Sequence, residues 1–446
     1  MLSKPLLWLS LLALATSAQA LSLPEALRQL PRSPGWVSAE LSYESAQRQL
    51  EAARAGLGLK ASLGGDYSLA GSSMASPDPT QRLSLSGSAS LGGLLPWSSA
   101  YDGLRSAERS LARAALERQE ARNTLYATAL GQYFSARQAA LSHEAAQAAL
   151  RLRQRQLEVA TARQQAGQAT LEDLIAAQQN LADAQVSAIN AEGNLSLARL
   201  SLANTLGLEV GALGELSTAP EAAELPPGGL EQLLAQALAR RPDVRKAQLQ
   251  VAEAEDRLAI AQRDRWFPAA SLSLGYGSSQ SGGGSVQAGL NLQSGLATLS
   301  ASYPLLGGSS TAANALSVGL SVDLAVLAPG ADAAIASAQT ALASAQKALE
   351  TARKSAELDV RQKHLEAQNA RVRVEVARLA LSNAEQSLKT AQARLAAGTA
   401  TALDVQLAQL NVQQSQLSLE TALASAQTAA LRLRAALGED LTGGDR

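Results

Sequence analysis

Ala162-Arg163-Gln164-Gln165-Ala166-Gly167-Gln168-Ala169-Thr170-Leu171-Glu172-Asp173-Leu174 is answered by Ala393-Arg394-Leu395-Ala396-Ala397-Gly398-Thr399-Ala400-Thr401-Ala402-Leu403-Asp404-Val405. Gly, Thr and Asp fall in step, which two Ala-rich helices would not readily do by chance. The correspondence runs without a gap from 157–209 to 388–440, with Asn180 matching Asn411 and Gln185 matching Gln416. Internal repetition at this scale decides the architecture before any single element does.

Working outward, each Gly closes a very long Pro-free run rich in helix formers, about Tyr101–Ala166 and about Asp332–Ala397. At 1.5 Å per residue such a run makes a rod of about 100 Å. Heptads mark a packing seam on each hairpin. In the second half Val360, Ala367, Val374, Leu381, Leu388 and Leu395 recur at seven, with Ala370, Ala377, Ala384 and Ala391 interleaved. Past the first tip Leu174, Leu181, Ala188, Leu195 and Leu202 recur likewise, with Ala177, Ala184, Ala191 and Ala198 between them. Two heptad rods joined by a short Gly-containing connection form an antiparallel coiled-coil hairpin.

At each tip Gly167 and Gly398 read as helix stops, Thr170 and Thr401 as N-caps of the returning helices. Asp173 and Asp404 then lie in the first turn, where negative charge is favoured. Ordinary capping accounts for these residues. A second reading gathers two tips per chain around an axis, so that the carboxylates form rings at a pore entrance.

Upstream in each half, Pro34 and Pro242 start shorter helices that lead to alternating β-segments. Ser62–Leu69 and Leu83–Leu91 form one pair, Leu272–Tyr276 and Leu316–Leu324 the other. Period 2 marks one apolar and one polar face. A further alternating stretch, Leu290–Tyr303, reads either as an external loop hairpin or as an extension of the strands. The expected domains are a signal peptide at 1–20, a first repeat at 21–210, a linker at 211–230 and a second repeat at 231–446. The signal peptide rests on Lys4, the apolar run Leu6–Ala15 and the Ala18-Gln19-Ala20 cleavage pattern.

Composition narrows the function classes. Aromatics are 3% of the 446 residues and apolar residues 46%, mostly Ala and Leu, which suits thin helical layers and not one bulky core. Net charge is −1, so no nucleic-acid partner is indicated, and cysteine is absent, which removes thiolate metal sites and thiol nucleophiles. His143-Glu144-Ala145-Ala146-Gln147 begins like a zinc-protease helix but has Gln147 where the second His is needed, and His364 stands apart from it. Ser344-Ala345-Gln346-Lys347 has a Ser-x-x-Lys spacing mid-rod without companion motifs. No enzyme, metal or cofactor is expected.

Four strands per chain leave two unpaired edges in lipid, so strands must come from further copies. Leu21-Ser22-Leu23-Pro24-Glu25-Ala26-Leu27, Arg241-Pro242-Asp243-Val244, Trp266-Phe267-Pro268 and the two Ala-Gly-x-Ala-Thr-x-x-Asp tips resemble the TolC-type outer-membrane factor family across nearly the whole mature chain. That resemblance implies a mostly helical fold with membrane β: long coiled-coil hairpins plus four strands contributing to a trimeric, twelve-stranded α/β barrel duct. It implies a homotrimer in the outer membrane with a helical tunnel in the periplasm. The partners implied are a periplasmic adaptor (membrane fusion) protein and an inner-membrane pump or secretion ATPase. Asp173 and Asp404 match the family's tip positions. Leu407, one turn past Asp404, offers no second acidic ring, and Ala400 and Leu395 offer no polar lock. The competing readings are an exported periplasmic coiled-coil adaptor or scaffold, and a cell-wall-active enzyme on a helical stalk.

Overall fold

The computed structural model describes residues 20–70, 80–222, 224–266, 269–277, 284–292, 294–306, 315–323 and 329–443. The expected signal peptide at 1–20, the expected turn at Ser76–Pro79 and the Phe267-Pro268 exit lie outside the described residues, Ala20 excepted. The elements run α1 (Leu23–Gln29), α2 (Pro34–Gly56), β1 (Leu59–Ala70), β2 (Thr80–Leu91), α3 (Ser99–Gln165) and α4 (Leu171–Leu206). After the linker come α5 (Leu230–Arg240), α6 (Pro242–Trp266), β3 (Ala269–Gly277), β4 (Ser285–Asn291), β5 (Leu296–Leu306), β6 (Ala315–Asp323), α7 (Pro329–Ala396) and α8 (Ala402–Ala436). The rods read from sequence are α3 and α7, of 67 and 68 residues. No helix among the described residues is long and apolar enough to cross a membrane.

The chain divides into two units, one of residues up to Ala39, Gln119–Arg241 and Ala356–Arg446, the other of Glu40–Arg118 and Pro242–Ser355. The first unit is helical, and its packing repeats the duplication. In one core Leu23, Ala26 and Leu30 pack with Leu130, Tyr133 and Phe134 of α3 and Leu202 and Leu206 of α4. In the other, Leu233, Leu234 and Ala237 of α5 pack with Val360 and Ala367 of α7 and Leu433 and Leu437 of α8. A short amphipathic helix thus covers each hairpin.

Three polar side chains tie this unit together. Tyr133 Oη donates to Leu21 O at 2.8 Å and accepts from Thr218 N at 3.1 Å. Arg137 grips Glu420 through Nε and Nη2, at 3.0 and 3.2 Å, and donates through Nη1 to Leu216 O at 2.6 Å. Asn123 holds the C-terminal tail from both ends, Nδ2 to Glu439 O at 2.8 Å and Oδ1 from Leu441 N at 2.9 Å. These bonds fix the linker and the tail against the hairpins, because a half-buried polar group left unpaired costs more than the bond itself gains.

The heptad seams are where the spacing puts them except at Leu395, the last of the second series, which is exposed. From Leu174 to Ala198 the covered positions include 174, 177, 181, 184, 188, 191, 195 and 198; from Val374 to Ala391 they are 374, 377, 381, 384, 388 and 391. Ala at so many of these positions lets the backbones approach closely.

The second unit carries the sheet. Sequence alternation counts four strands per chain; the sheet has six, all antiparallel, in the order β1-β2-β5-β4-β3-β6. The stretch Leu290–Tyr303 is not one alternating run. It breaks between Asn291 and Leu296, so that its first residues end β4 and its remainder opens β5.

Register aligns the two faces across all six strands. Ala61, Ala89, Leu299, Ala288, Leu274 and Val318 form one apolar row; Ser62, Ser88, Ser300, Gln287, Gly275 and Ser317 form the polar row beside it. The apolar face is bare: Leu63 is 82% exposed and Leu320 69%. Its opposite face is concave and lined by Ser62, Ser86, Ser88, Ser285, Gln287 and Ser300. Cross-strand hydroxyl pairs line it, Ser62–Ser88 and Ser271–Ser321 both at 2.7 Å.

At the helical end of the sheet, ion pairs tie the surrounding helices together. Arg263 of α6 bonds Asp102 of α3 at 3.0 Å, and Arg265 bonds Asp332 of α7 at 2.8 Å. Arg113 of α3 meets Glu253 of α6 at 2.8 Å, one turn from the Arg109–Asp256 pair.

Candidate functional site

Both tips are built twice over from one local plan. At the first, Gly167 has φ 71°, its N–H reaches Gln164 O at 3.0 Å, and Gln168 N reaches Arg163 O at 2.8 Å. At the second, Gly398 has φ 70°, its N–H reaches Leu395 O at 3.0 Å, and Thr399 N reaches Arg394 O at 2.9 Å. This pair of bonds closes a helix only if the residue after it turns left-handed, which glycine does without strain.

The returning helices start in capping boxes. Thr170 Oγ1 accepts from Asp173 N at 3.1 Å, while Asp173 Oδ2 accepts from Thr170 N at 2.9 Å and from Thr170 Oγ1 at 2.8 Å. Thr401 and Asp404 repeat this at 3.3, 2.7 and 2.8 Å. The backbone bond from Thr170, seconded by its hydroxyl, holds the Asp173 carboxyl below the usual carboxylate range, and Thr401 does the same for Asp404. Both carboxylates are exposed and remain charged at neutral pH. The capping account of these residues is therefore realised atom for atom, and it leaves the charges facing solvent. Among the described residues no hydrogen bond joins one tip to the other.

A depressed carboxyl pKa stabilises the fold above the ordinary Asp range and loses that contribution as pH falls through the folded-state value. Replacing Thr170 and Thr401 together by Ala is expected to speed amide exchange in the first turns of α4 and α8 by about fivefold at neutral pH. The difference should shrink once the buffer is acid enough to protonate Asp173 and Asp404. Hydrogen-exchange mass spectrometry reads both effects; unchanged exchange at neutral pH would show that the hairpins hold their tips without the caps.

Leu395 and Leu407 stand exposed beside the second tip, and Ala400 is half-covered, so Asp404 is the one acidic residue in the first turn there, whereas the first tip carries Glu172 beside Asp173. His143 and His364 each bond the Gln one turn on, Gln147 at 2.8 Å and Gln368 at 2.9 Å. Lys347 Nζ bonds Glu350 Oε2 at 2.7 Å. No group of three or more His, Asp or Glu among the described residues is placed to hold a metal ion.

One feature of the helical unit escapes a single-seam reading. Leu358, Leu365, Val372 and Leu379 recur at seven on α7, two residues before the buried series, and are 57% to 67% exposed. The chain alone thus covers one heptad stripe of α7 and leaves a second bare.

Residues 28–208 and 233–439 match the family described as outer membrane efflux protein. The chain belongs to that family. No curated protein sequence matches it. Among solved structures of the same fold is the outer membrane protein VceC from Vibrio cholerae, 20% identical over 93% of this chain and 95% of that one, with a TM-score of 0.65. The CmeC outer membrane channel of Campylobacter jejuni is 15% identical, covers 93% and 84%, and has a TM-score of 0.69. The open-state MtrE outer membrane channel of Neisseria gonorrhoeae is 20% identical, covers 94% and 89%, and has a TM-score of 0.67. As a member of the outer membrane efflux protein family, the chain has a sheet with one bare apolar face where a lipid-facing wall is required.

Proposed function

We propose that this chain is one protomer of a homotrimeric outer-membrane duct that conducts substrates passively outward and catalyses nothing. The observation that carries the reading is the sheet: one face predominantly apolar and largely exposed, the other polar and concave, and, among the described residues, β1 and β6 each with one edge unpaired. Open strand edges are not tolerated in lipid, so further copies must complete the wall. The bare stripe on α7 supports assembly through the helices as well. In the assembled duct the long helices line a tunnel in the periplasm.

Gly167, Thr170, Asp173, Gly398, Thr401 and Asp404 form the periplasmic entrance in this reading, where an adaptor protein docks and an inner-membrane pump or secretion ATPase delivers cargo. Three copies place six carboxylates from Asp173 and Asp404 around the axis, enough to attract cations without a second ring at Leu407. In this reading the energy comes from the pump.

The test is extraction of the mature chain from outer membranes, mass measurement of the detergent-solubilised particle, and conductance in planar bilayers. A conducting trimer whose block by cations weakens in Asp404→Ala supports the reading. Recovery as a soluble periplasmic monomer would overturn it in favour of an adaptor or scaffold. A conducting trimer with cation block unchanged in Asp404→Ala would reject the acidic ring alone.

A further inference from the structure

We propose that the β4–β5 hairpin is a third pair of wall strands, so that three copies close an eighteen-stranded barrel and not one of twelve; this rests on the trimeric duct reading above. Four observations carry it. The first is pairing: β4 and β5 stand inside the sheet, β5 hydrogen-bonded to β2 and β4 to β3, with Ala89 opposite Leu299 and Ala288 opposite Leu274. Without them β2 and β3, the strands that flank the pair, would each lose a ladder.

The second is facing. Val286, Ala288, Leu290, Ala297, Leu299, Ala301 and Tyr303 continue the apolar face, while Ser285, Gln287, Gly289, Thr298, Ser300 and Ser302 continue the polar one. A hairpin lying outside the membrane in water has no reason to align seven apolar side chains with its neighbours' apolar face and leave Val286, Leu299, Ala301 and Tyr303 exposed there.

The third is the position of the turn. Trp97 Nε1 donates to Leu292 O at 3.1 Å, Ser99 N to Ser294 O at 3.4 Å, and Leu292 N to Ala270 O at 2.8 Å. Gly295, at φ 65°, sits so close that a Cβ there would lie 2.5 Å from Ser98 Cβ. Trp97 and Ser98 lead into α3, and Ala270 is at the start of β3, so this turn is seated at the end of the sheet where helices begin. An external loop hairpin would have its turn at the other end.

The fourth is length. β5 has 11 residues, against the roughly 9–11 that a tilted strand needs to span a bilayer. β4, of 7 residues, is paired along its whole length to β3 on one side and β5 on the other.

The consequence is size. With strands about 4.8 Å apart and tilted about 40°, eighteen strands enclose a circle about 36 Å across, against about 24 Å for twelve. The inner surface gains rows of Ser, Thr, Gly and Gln, which are uncharged, so the outer mouth admits bulkier polar cargo without selecting by charge. This deepens the duct reading towards large hydrophilic substrates.

The chain's lack of cysteine makes the test direct. Gln287→Cys and Ala288→Cys, in the full chain assembled in its outer membrane, are exposed to a water-soluble maleimide. The wall assignment expects Gln287→Cys to react at least about tenfold faster, because a thiol facing hydrocarbon does not ionise. In the double variant Ser88→Cys with Ser300→Cys, oxidation is expected to link the two positions within one chain and block their labelling. Particle mass counts the copies separately. Equal labelling at 287 and 288 in an intact trimer would overturn the wall strands and leave the duct standing. Alternating labelling in a two-copy particle would overturn the eighteen-strand count and the trimer together, leaving a twelve-stranded wall.

Discussion

Val318→Arg is expected to abolish assembly of the duct in the outer membrane, whereas Ser317→Arg, its immediate neighbour, is expected to assemble normally. The two residues lie side by side on β6 but on opposite faces of the sheet. Val318 pairs across the apolar face with Leu274 and is 67% exposed, with nothing in the chain to cover it. Ser317 lies opposite Gly275 on the polar concave face, its hydroxyl donating to Gly275 O at 3.3 Å. An arginine on the lipid face near the bilayer midplane costs about 2–4 kcal/mol, and every copy in the assembly carries the penalty. An arginine on the inner face meets water and costs little. The measurement is the amount of each variant recovered from outer membranes as assembled particle. Equal recovery would mean that the apolar face does not meet lipid, and the duct reading would fall with it.

Much of this was legible from spacing alone, because both periodicities involved are strict. The heptad positions from Leu174 to Ala198 and from Val374 to Ala391 are the covered ones, and the Gly/Thr/Asp order of the tips pointed to a helix stop, an N-cap and a first-turn charge, which the structure forms with the Asp closing a capping box as well. The strand count was less legible. Leu290–Tyr303 reads as continuous alternation, but apolar residues occupy even positions in β4 and odd positions in β5. That phase change marks the break between β4 and β5, where Asn291 Oδ1 accepts from Ser294 N at 2.9 Å. A turn whose flanks are both alternating hides its own boundary from a period-2 reading. The bare stripe on α7 was missed for a different reason. In an Ala- and Leu-rich rod two heptad series coexist, and spacing does not say which one meets a partner in the same chain and which meets another copy.

That second stripe yields the other large effect: Leu365→Glu is expected to leave the chain folded but unable to form trimers. Leu365 is 57% exposed in the single chain, between Leu358 and Val372 on the same stripe. Its contribution to the folding of one chain is therefore small, and its contribution to assembly large. Loss of its burial costs about 2 kcal/mol, and an unpaired carboxylate held in an apolar contact adds about 1–3 kcal/mol or more. A cyclic trimer repeats the contact three times, giving a total of about 10 kcal/mol, enough to dissociate a particle of ordinary affinity at micromolar concentration. Val360→Glu separates the two kinds of stripe. Val360 is fully buried within the chain, packed with α5 and α8, and its replacement should lower the thermal stability of the monomer itself. Mass in detergent and circular dichroism together read the distinction. A Leu365→Glu chain that still sediments as a trimer of unchanged thermal stability would show that the bare stripe faces something other than a second copy, and the assembly would then have to be carried by the strands alone.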